Sequence, residues 1–436
     1  MSELYSLFSH VINRHRLASS QLVLGFSGGM DSRVMLELLA QYRDETSCEC
    51  CAVYVHHGLS QHADEWAKQC QRWAQHAAIP FFIERVQLDT ASGESVESLA
   101  RTARYQVLAK YINTDDLLLT GQHSDDQIET FLLALKRGSG PKGLSSMAQA
   151  MPFGAGKIVR PLLAATRVQI ESFAVTQNLD WVEDESNQDT RFDRNFIRHH
   201  ITPVLTQRWP HIHQAVARSA TLCAQQQVLL EELLQEAMQE VKMPDGSLSI
   251  TALSHRSELA RYQLLRMWLA QLGEPMPTQE HLAMIWQQVA SARIDANPRL
   301  KLGQSQIRRF DQKLYCIQTY QDISDWQAMI VPDQSLTLPD GLGNLRLSSH
   351  GGSKGIALPD DCHQLSVTFN PEGLAACPVG RVGSRKLKKL FQEYGVPSWL
   401  RRRTPILMHR NQVVAIANLF VDRDFSGQDC ELIWDK

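Results

Sequence analysis

No apolar run in this 436-residue chain approaches the roughly 20 residues that a membrane span requires, so an integral helical membrane protein is excluded. The opening stretch, MSELYSLFSHVINRHRLASS, interrupts its apolar positions with Glu3, His10, Arg14 and Arg16. It lacks the continuous apolar segment of a secretory signal, and the cytoplasm is the expected compartment. Cysteine is sparse, and its nine scattered copies read as reduced thiols rather than a disulfide framework. Net charge is almost absent: 44 Lys and Arg against 47 Asp and Glu leave −3, which argues against a polybasic protein. Also missing is any G-x-x-x-x-G-K-[ST] loop, which disfavours a γ-phosphate-cleaving P-loop enzyme. A G-x-G-x-x-G does occur at Gly138, Gly140 and Gly143, but it follows a helix rather than a strand and fails as a dinucleotide fingerprint.

What is present supports a packed, multidomain protein. Hydrophobic residues make up 43% and charged residues 21% of the chain, and its length suggests about three domains. Over residues 21–200, short apolar runs (QLVLGF, CAVYVHH, PFFIERV, DLLLTG) alternate with helical stretches. This predicts an α/β domain with a parallel sheet covered on both faces, whose ligands bind beyond the carboxyl ends of its strands. One long amphipathic helix is expected over 215–241, helices over 251–290 with Trp268 and Trp286 in their core, and strands over 298–318. The Pro/Gly/Ser-rich stretch 331–361 reads as a linker. The expected domains are therefore 1–214, a helical connector 215–330, the linker 331–361 and a compact α+β module 362–436.

The first strand runs directly into Ser27-Gly28-Gly29-Met30-Asp31-Ser32 and then a helix. Adjacent glycines let the backbone turn tightly and approach a ligand closely. Their N–H groups, the two serine hydroxyls and the positive end of the next helix form a nest suited to pyrophosphate. Asp31 is placed to help hold a Mg²⁺ on the leaving pyrophosphate. Cys48 and Cys51 form a lone C-x-x-C without further ligands at metal spacing, and read as small buried thiols. The neutral total also hides a local imbalance: residues 381–410 hold nine cations and one acid, Glu393, a net +8 that leaves −11 for the rest. Interleaved with Leu387, Leu390, Phe391, Trp399 and Leu400, these cations suggest an RNA-backbone face that includes Lys388, Lys389, Arg401, Arg402 and Arg403.

The SGG-x-DS loop after a first strand resembles that of the PP-loop ATP pyrophosphatases, which transfer AMP and release pyrophosphate. YVHHGLS (54–60), ESLARTARY (97–105), TGQHSDDQIETFLLALKRGSGPKGLSSM (120–147), RPLL (160–163) and EDESNQDTRFDRNFIRHHITPVL (183–205) look like the tRNA(Ile)-lysidine synthetases within that superfamily. The resemblance implies a Rossmann-like PP-loop sheet followed by a mainly helical domain and a small α+β domain. It also implies ATP and Mg²⁺, free L-lysine, and an isoleucine tRNA with a CAU anticodon whose wobble cytidine is adenylated and then joined to lysine. The alternative is a tRNA cytidine 2-thiolation enzyme with the same loop, which would need Cys48 and Cys51. A PP-loop amidotransferase or synthetase for a small metabolite is disfavoured by the basic terminal module.

The same resemblance suggests roles for individual residues. In TGQHSDDQIET, Ser124 and Gln127 have capping-box spacing, while Asp126 and Glu129 share a helical face. A carboxylate here, Asp125 or Asp126, would hold lysine's ammonium or the metal, and His123 would contact phosphate or move a proton. The family often has two histidines where this chain has Gln122-His123, which places the role on His123. Glu97, Arg101 and Arg104 line one helix face, with Arg104 and Arg101 expected near a carboxylate or phosphate. Arg191, Arg194 and Arg198 match an R-x-x-RN-x-IR pattern suited to RNA phosphates or the α-phosphate, with Asn195 structural. His56 and His57 end the second strand, and His56 is a candidate nucleotide contact.

Overall fold

The computed structural model describes residues 2–88, 96–293, 296–349, 355–358 and 365–435. The chain forms two compact units, residues 1–232 and 233–436. In the first, the elements run α1 (Glu3–His15), β1 (Leu22–Gly25), α2 (Met30–Thr46), β2 (Cys50–His56), α3 (Ala63–His76), β3 (Phe81–Arg85), α4 (Val96–Ala109), β4 (Leu117–Leu119), α5 (Ser124–Lys136), α6 (Pro141–Leu144), β5 (Ala150–Phe153), β6 (Gly156–Val159), α7 (Arg167–Thr176), α8 (Asp193–Phe196), α9 (Thr202–Arg208) and α10 (Ile212–Leu233). A wide-turn helical segment, Ile197–Ile201, joins α8 to α9.

The sheet order is β3-β2-β1-β4-β6-β5. All neighbours are parallel except the β5–β6 hairpin. Successive side chains point to opposite faces, and both faces are covered. Leu22, Leu24, Leu117 and Leu119 pack with Phe8, Met35 and Leu38, while Val23, Val53 and Leu118 pack with Leu108 and Ile112. Burial on both sides is why these strands read as near-continuous apolar runs. The run 80–86 departs from that expectation: β3 is the outer strand, and Phe82 and Ile83 are exposed. Because the chain steps outward from β1 to β3 and then returns to the other side of β1 as β4, the carboxyl ends of β1 and β4 meet at a switch point.

The second unit contains α11 (Gln235–Val241), β7 (Leu248–Ser249), α12 (Ile250–Ser254), α13 (Glu258–Gln271), α14 (Gln279–Met284), β8 (Arg299–Leu302), β9 (Ser305–Phe310) and β10 (Lys313–Gln318). These helices pack with the β7-β10-β9-β8 sheet around Trp268, whose indole N–H donates to Gly246 O at 2.9 Å. Trp286 is only partly buried, beneath the Arg261 guanidinium. The long helix expected over 215–241 is two helices, interrupted at Leu234.

Then follow β11 (Gln327–Met329), β12 (Ser335–Thr337), β13 (Asn344–Ser348), β14 (Gly355–Ile356), β15 (Leu365–Thr368), β16 (Ala375–Ala376), β17 (Arg385–Lys386), α15 (Leu387–Glu393), β18 (Ile406–His409), β19 (Gln412–Ile416), β20 (Phe420–Val421) and β21 (Cys430–Asp435). The expected linker 331–361 falls partly outside the described residues, and its described residues are not a free linker. Its β12 and β13 join the β12-β13-β21-β14 sheet, and Leu338, Leu345, Leu347 and Ile356 enter the core facing Val367 and Val414. Prolines and glycines there mark turns between short strands, and the alternating leucines supply the buried face.

Candidate active site

The loop after β1 is held open toward the switch point. Gly28 has φ +83°, and a Cβ there would lie 2.7 Å from Cys70 Sγ, so no other residue fits without displacing the core. Its carbonyl accepts the Val182 N–H at 2.9 Å, which pins the loop from the other side. Gly29 is the N-cap of α2 and offers no side-chain cap, leaving the first-turn N–H groups, beginning at Met30, for a ligand. Ser32 Oγ donates to Gly29 O at 3.0 Å and lies 3.1 Å from Ser27 Oγ, placing both hydroxyls at the loop's mouth. The Asp31 carboxylate follows in the first turn, and its buried Oδ1 has no hydrogen-bond partner among the described residues.

From β4 the segment 120–123 runs against this loop. A Cβ on Gly121 would come within 3.3 Å of the Asp31 carbonyl carbon, so glycine permits the close approach. The α5 capping box is not Ser124/Gln127. His123 is the N-cap, Asp126 Oδ2 accepts the His123 N–H at 3.0 Å, and the Gln127 amide clamps Met147 N–H and O instead. The chain stays extended through His123, which moves the helix start one residue ahead of the sequence-based expectation.

His123 is buried among three carboxylates: its Nε2 lies 3.6 Å from Asp31 Oδ2 and 3.5 Å from Asp126 Oδ2, and its Nδ1 lies 3.5 Å from Asp125 Oδ2. Burial alone would depress its pKa, but Asp125, Asp31 and Asp126 together push it up to about 10. The cap contact from Asp125 N–H to Nδ1, 3.3 Å long, would need a neutral ring. Three surrounding carboxylates outweigh one long hydrogen bond, so the ring is an imidazolium at neutral pH. Because its folded pKa exceeds the ordinary 6.5, its stabilisation is full below about pH 6.5, declines as pH rises and is lost above about pH 10. Urea melts of the wild type and His123→Gln without added metal will show a stability gap that narrows over this window. A gap that widens with pH would contradict the assignment.

Asp125 is already engaged. It accepts the Arg167 N–H at 2.9 Å and lies 3.2 Å from His213 Nε2; against the opposing effect of burial, His123, His213 and this N–H hold its carboxyl well below the usual range. It is therefore a structural anchor rather than a free ammonium ligand. Arg194 and Arg198 are likewise engaged rather than free to grip phosphates. Arg198 Nε donates to Glu129 Oε1 at 2.6 Å and its Nη2 donates to Asp126 Oδ1 at 3.0 Å, while Arg194 Nε donates to Glu129 Oε2 at 2.8 Å. Glu129 is fully buried beneath them and is the hub that the helical-face argument pointed to without assigning a role. Arg191 is 88% exposed and pairs with Asp189, while Asn195 Nδ2 donates to Ser186 O and Asp189 O, a structural tie.

A second rim comes from β2 and α4. His56 is buried, accepts the Gly58 N–H through Nδ1 at 3.2 Å, and sets Nε2 3.3 Å from Asp64. Desolvation, with Arg104 and His56 nearby, lowers His57 to about 4, so its neutral Nε2 accepts from Arg104 Nε at 3.4 Å. His57 thus orients the guanidinium expected to act, while Arg101 lies over the Tyr105 ring. The Glu97 side chain lies outside the described residues. Thr120 Oγ1, Gln122 Oε1 and His57 Nδ1 are buried without a hydrogen-bond partner among the described residues, like Asp31 Oδ1. Orphaned polar atoms are rare in folded proteins, and their concentration at the carboxyl ends of β1, β2 and β4 marks a polar ligand site.

Comparison with known proteins agrees with this geometry. Residues 3–205 match the PP-loop domain family, 248–315 the TilS substrate binding domain and 365–435 the TilS substrate C-terminal domain. A tRNA(Ile)-lysidine synthase of Vibrio parahaemolyticus is 61% identical over 436 residues, covering all of both chains, and one of Vibrio vulnificus is 60% identical with the same coverage. The chain belongs to the tRNA(Ile)-lysidine synthase family. Among solved structures, the U34-tRNA thiolase of Methanococcus maripaludis with its [4Fe-4S] cluster is similar at TM-score 0.43 and 16% identity, covering 51% of this chain and 78% of that one. In this member of the lysidine synthase family, Cys48 and Cys51 are buried, and burial pushes the Cys51 thiol up to about 12, which does not suit thiolate chemistry. No described helix is long and apolar enough to cross a membrane.

The family's C-terminal module carries the basic stretch, and the structure thins it. Arg381 and Arg385 both pair with Glu393, and Arg402 pairs with Glu372. Arg403 is buried, donates to Asp340 Oδ2 at 2.6 Å and lies 4.0 Å from the Tyr320 ring centroid. It is a core ion pair, not an RNA contact. Arg401 donates to Val396 O at 3.0 Å. Lys388 and Lys389 on α15 remain exposed. Lys388→Gln with Lys389→Gln will weaken tRNA binding and reduce its salt dependence by about two counterions, whereas Arg403→Gln will chiefly lower Tm. Filter binding across a salt series and thermal melts check this, and an unchanged salt slope in the double variant would remove these lysines from the RNA face.

Proposed function

We propose that this chain joins L-lysine to C2 of the wobble cytidine of an isoleucine tRNA with a CAU anticodon. In the first step O2 of the base attacks the α-phosphorus of ATP; the O2–P bond forms, the α–β P–O bond breaks and pyrophosphate leaves. In the second, the lysine ε-amine attacks C2, sheds its proton, and the C2–O bond breaks to release AMP. The observation that carries this reading is the uncapped α2 N-terminus at the switch point, fronted by Gly28 and Gly29 and flanked by orphaned polar atoms. The Gly29, Met30 and Ser32 side of the loop would hold the departing pyrophosphate through backbone N–H groups and hydroxyls.

Asp31 Oδ1 fits a Mg²⁺, since one or two carboxylates plus phosphate oxygens commonly suffice for that ion. When bound, the ion would neutralise charge developing on pyrophosphate. The protonated His123 beneath Asp31 orients this carboxylate, and at neutral pH the imidazolium is an acid rather than a base. Arg104, aimed by His57, would take a phosphate or a carboxylate. Arg194 and Arg198 match the charges of Asp126 and Glu129 one for one, so of the acids around His123 it is Asp31 that would meet a cationic amino acid or a metal ion. The test is ATP turnover with the isoleucine tRNA and labelled lysine. One lysine is expected in RNA per AMP formed, and pyrophosphate release without lysine incorporation would refute the reading.

A further inference from the structure

Between β8–β9 of the substrate-binding module and the Ser398–Arg403 segment of the C-terminal module lies a cavity of about 300 Å³ lined by four arginines. Both walls belong to the second unit. Arg299 and Arg308 face each other as direct cross-strand partners, where like charges ordinarily destabilise a sheet. Arg308 is only 6% exposed, yet it has no carboxylate partner among the described residues. Its Nη2 donates to neutral oxygens, Asn297 Oδ1 at 2.9 Å and Ser398 Oγ at 3.0 Å, and its Nε is buried with no partner. Burial and the Arg299 charge both lower its pKa, the signature of a cation lacking its counter-charge.

The position is also rigid. Trp399 lies under the Arg308 guanidinium at 5.2 Å and is itself braced by Tyr315 and Phe310. The other cations in the wall are already neutralised, Arg402 by Glu372 and Arg403 by Asp340. Asp322, the one acid in the wall, accepts from the Ser324 N–H and hydroxyl through Oδ1, and its Oδ2 lies 3.9 Å from Arg402. A buried, unpaired guanidinium is costly unless something anionic completes it.

We propose that this seam is a phosphodiester-binding site: Arg299 and Arg308 together clamp one backbone phosphate of the substrate tRNA, with Trp399 fixing the guanidinium plane. The cavity exceeds the volume of a lone phosphate and leaves room for the attached ribose. Spanning two modules, the contact sets the register of a tRNA region outside the anticodon. It rests on the tRNA-ligating function proposed above.

Arg299→Gln is the primary test, because that side chain is exposed and its loss leaves the fold intact. We expect tRNA Kd to rise roughly fivefold at moderate salt. The salt slope should fall by about one, with kcat for lysine incorporation at saturating tRNA unchanged. Arg308→Lys should weaken binding similarly, since the bidentate fork is lost although charge remains. Arg346→Gln, an exposed cation on β13, serves as the control and should change nothing. If Arg299→Gln leaves Kd and slope at the wild-type values, or if Arg346→Gln matches its effect, the site is overturned. Failure of the wild type to incorporate lysine would instead refute the proposed reaction, while the binding measurement would still report on the phosphate contact.

Discussion

Asp31→Asn lowers the rate of pyrophosphate release by about 10²–10³-fold while tRNA affinity stays within about twofold. The substitution preserves shape in the first turn of α2 but removes the one carboxylate among the described residues whose buried oxygen is unpartnered. It also removes one of the three charges that hold His123 protonated, so the imidazole pKa falls from about 10. Two independent measurements therefore report on one substitution: quench-flow pyrophosphate release and NMR titration of the histidine. Retained turnover would displace the PP-loop assignment of Asp31, and an unmoved His123 titration would mean that the two side chains are not electrostatically coupled.

Arg198→Met destabilises the first unit by about 3 kcal/mol, because Glu129 becomes a buried charge with only Arg194 left to balance it. The value sits at the lower end of the range for broken buried pairs because Arg194 stays in place. Adding Glu129→Leu removes the stranded carboxylate and should recover at least half of the loss. Urea unfolding of the two single variants and the double variant completes the cycle. Additive losses would show that the arginine and the carboxylate act separately. The network matters beyond stability, since Arg198 also holds Asp126, whose other oxygen receives the His123 N–H that starts α5. Loosening it should therefore reduce activity even at temperatures where the variant remains folded.

The strand–loop–helix at residues 21–46 was legible because local chemistry dictates it: an apolar run, two glycines, then helix-forming residues with an acid in the first turn. The doubly covered sheet was legible for a similar reason, since burial on both faces leaves no polar alternation in β1, β2 and β4. The partners of charged residues were not. Arg194 and Arg198 looked like phosphate grips because of their resemblance to the R-x-x-RN-x-IR pattern, which does not record what the side chains meet. Their acceptor, Glu129, lies 65 and 69 residues away in sequence. Arg403 looked equivalent to its neighbours in an Arg-Arg-Arg run, and only the return of Asp340 beneath it makes it a core residue. The Pro/Gly/Ser-rich stretch misled because short edge strands carry turn residues at both ends, and their pairing partner β21 is the last strand in the chain.

By itself, the sequence determined the adenylating loop, the parallel sheet and the uneven spread of charge, because each follows from neighbours within a few residues. The tertiary structure decided which charges remain available to a ligand. Long-range folding neutralises Arg381, Arg385, Arg402 and Arg403 while leaving Lys388, Lys389 and the Arg299–Arg308 pair without counter-charges among the described residues, and it sets His123 against Asp31. Coulomb energy in a folded chain depends on through-space distance and burial, and a linear sequence records neither.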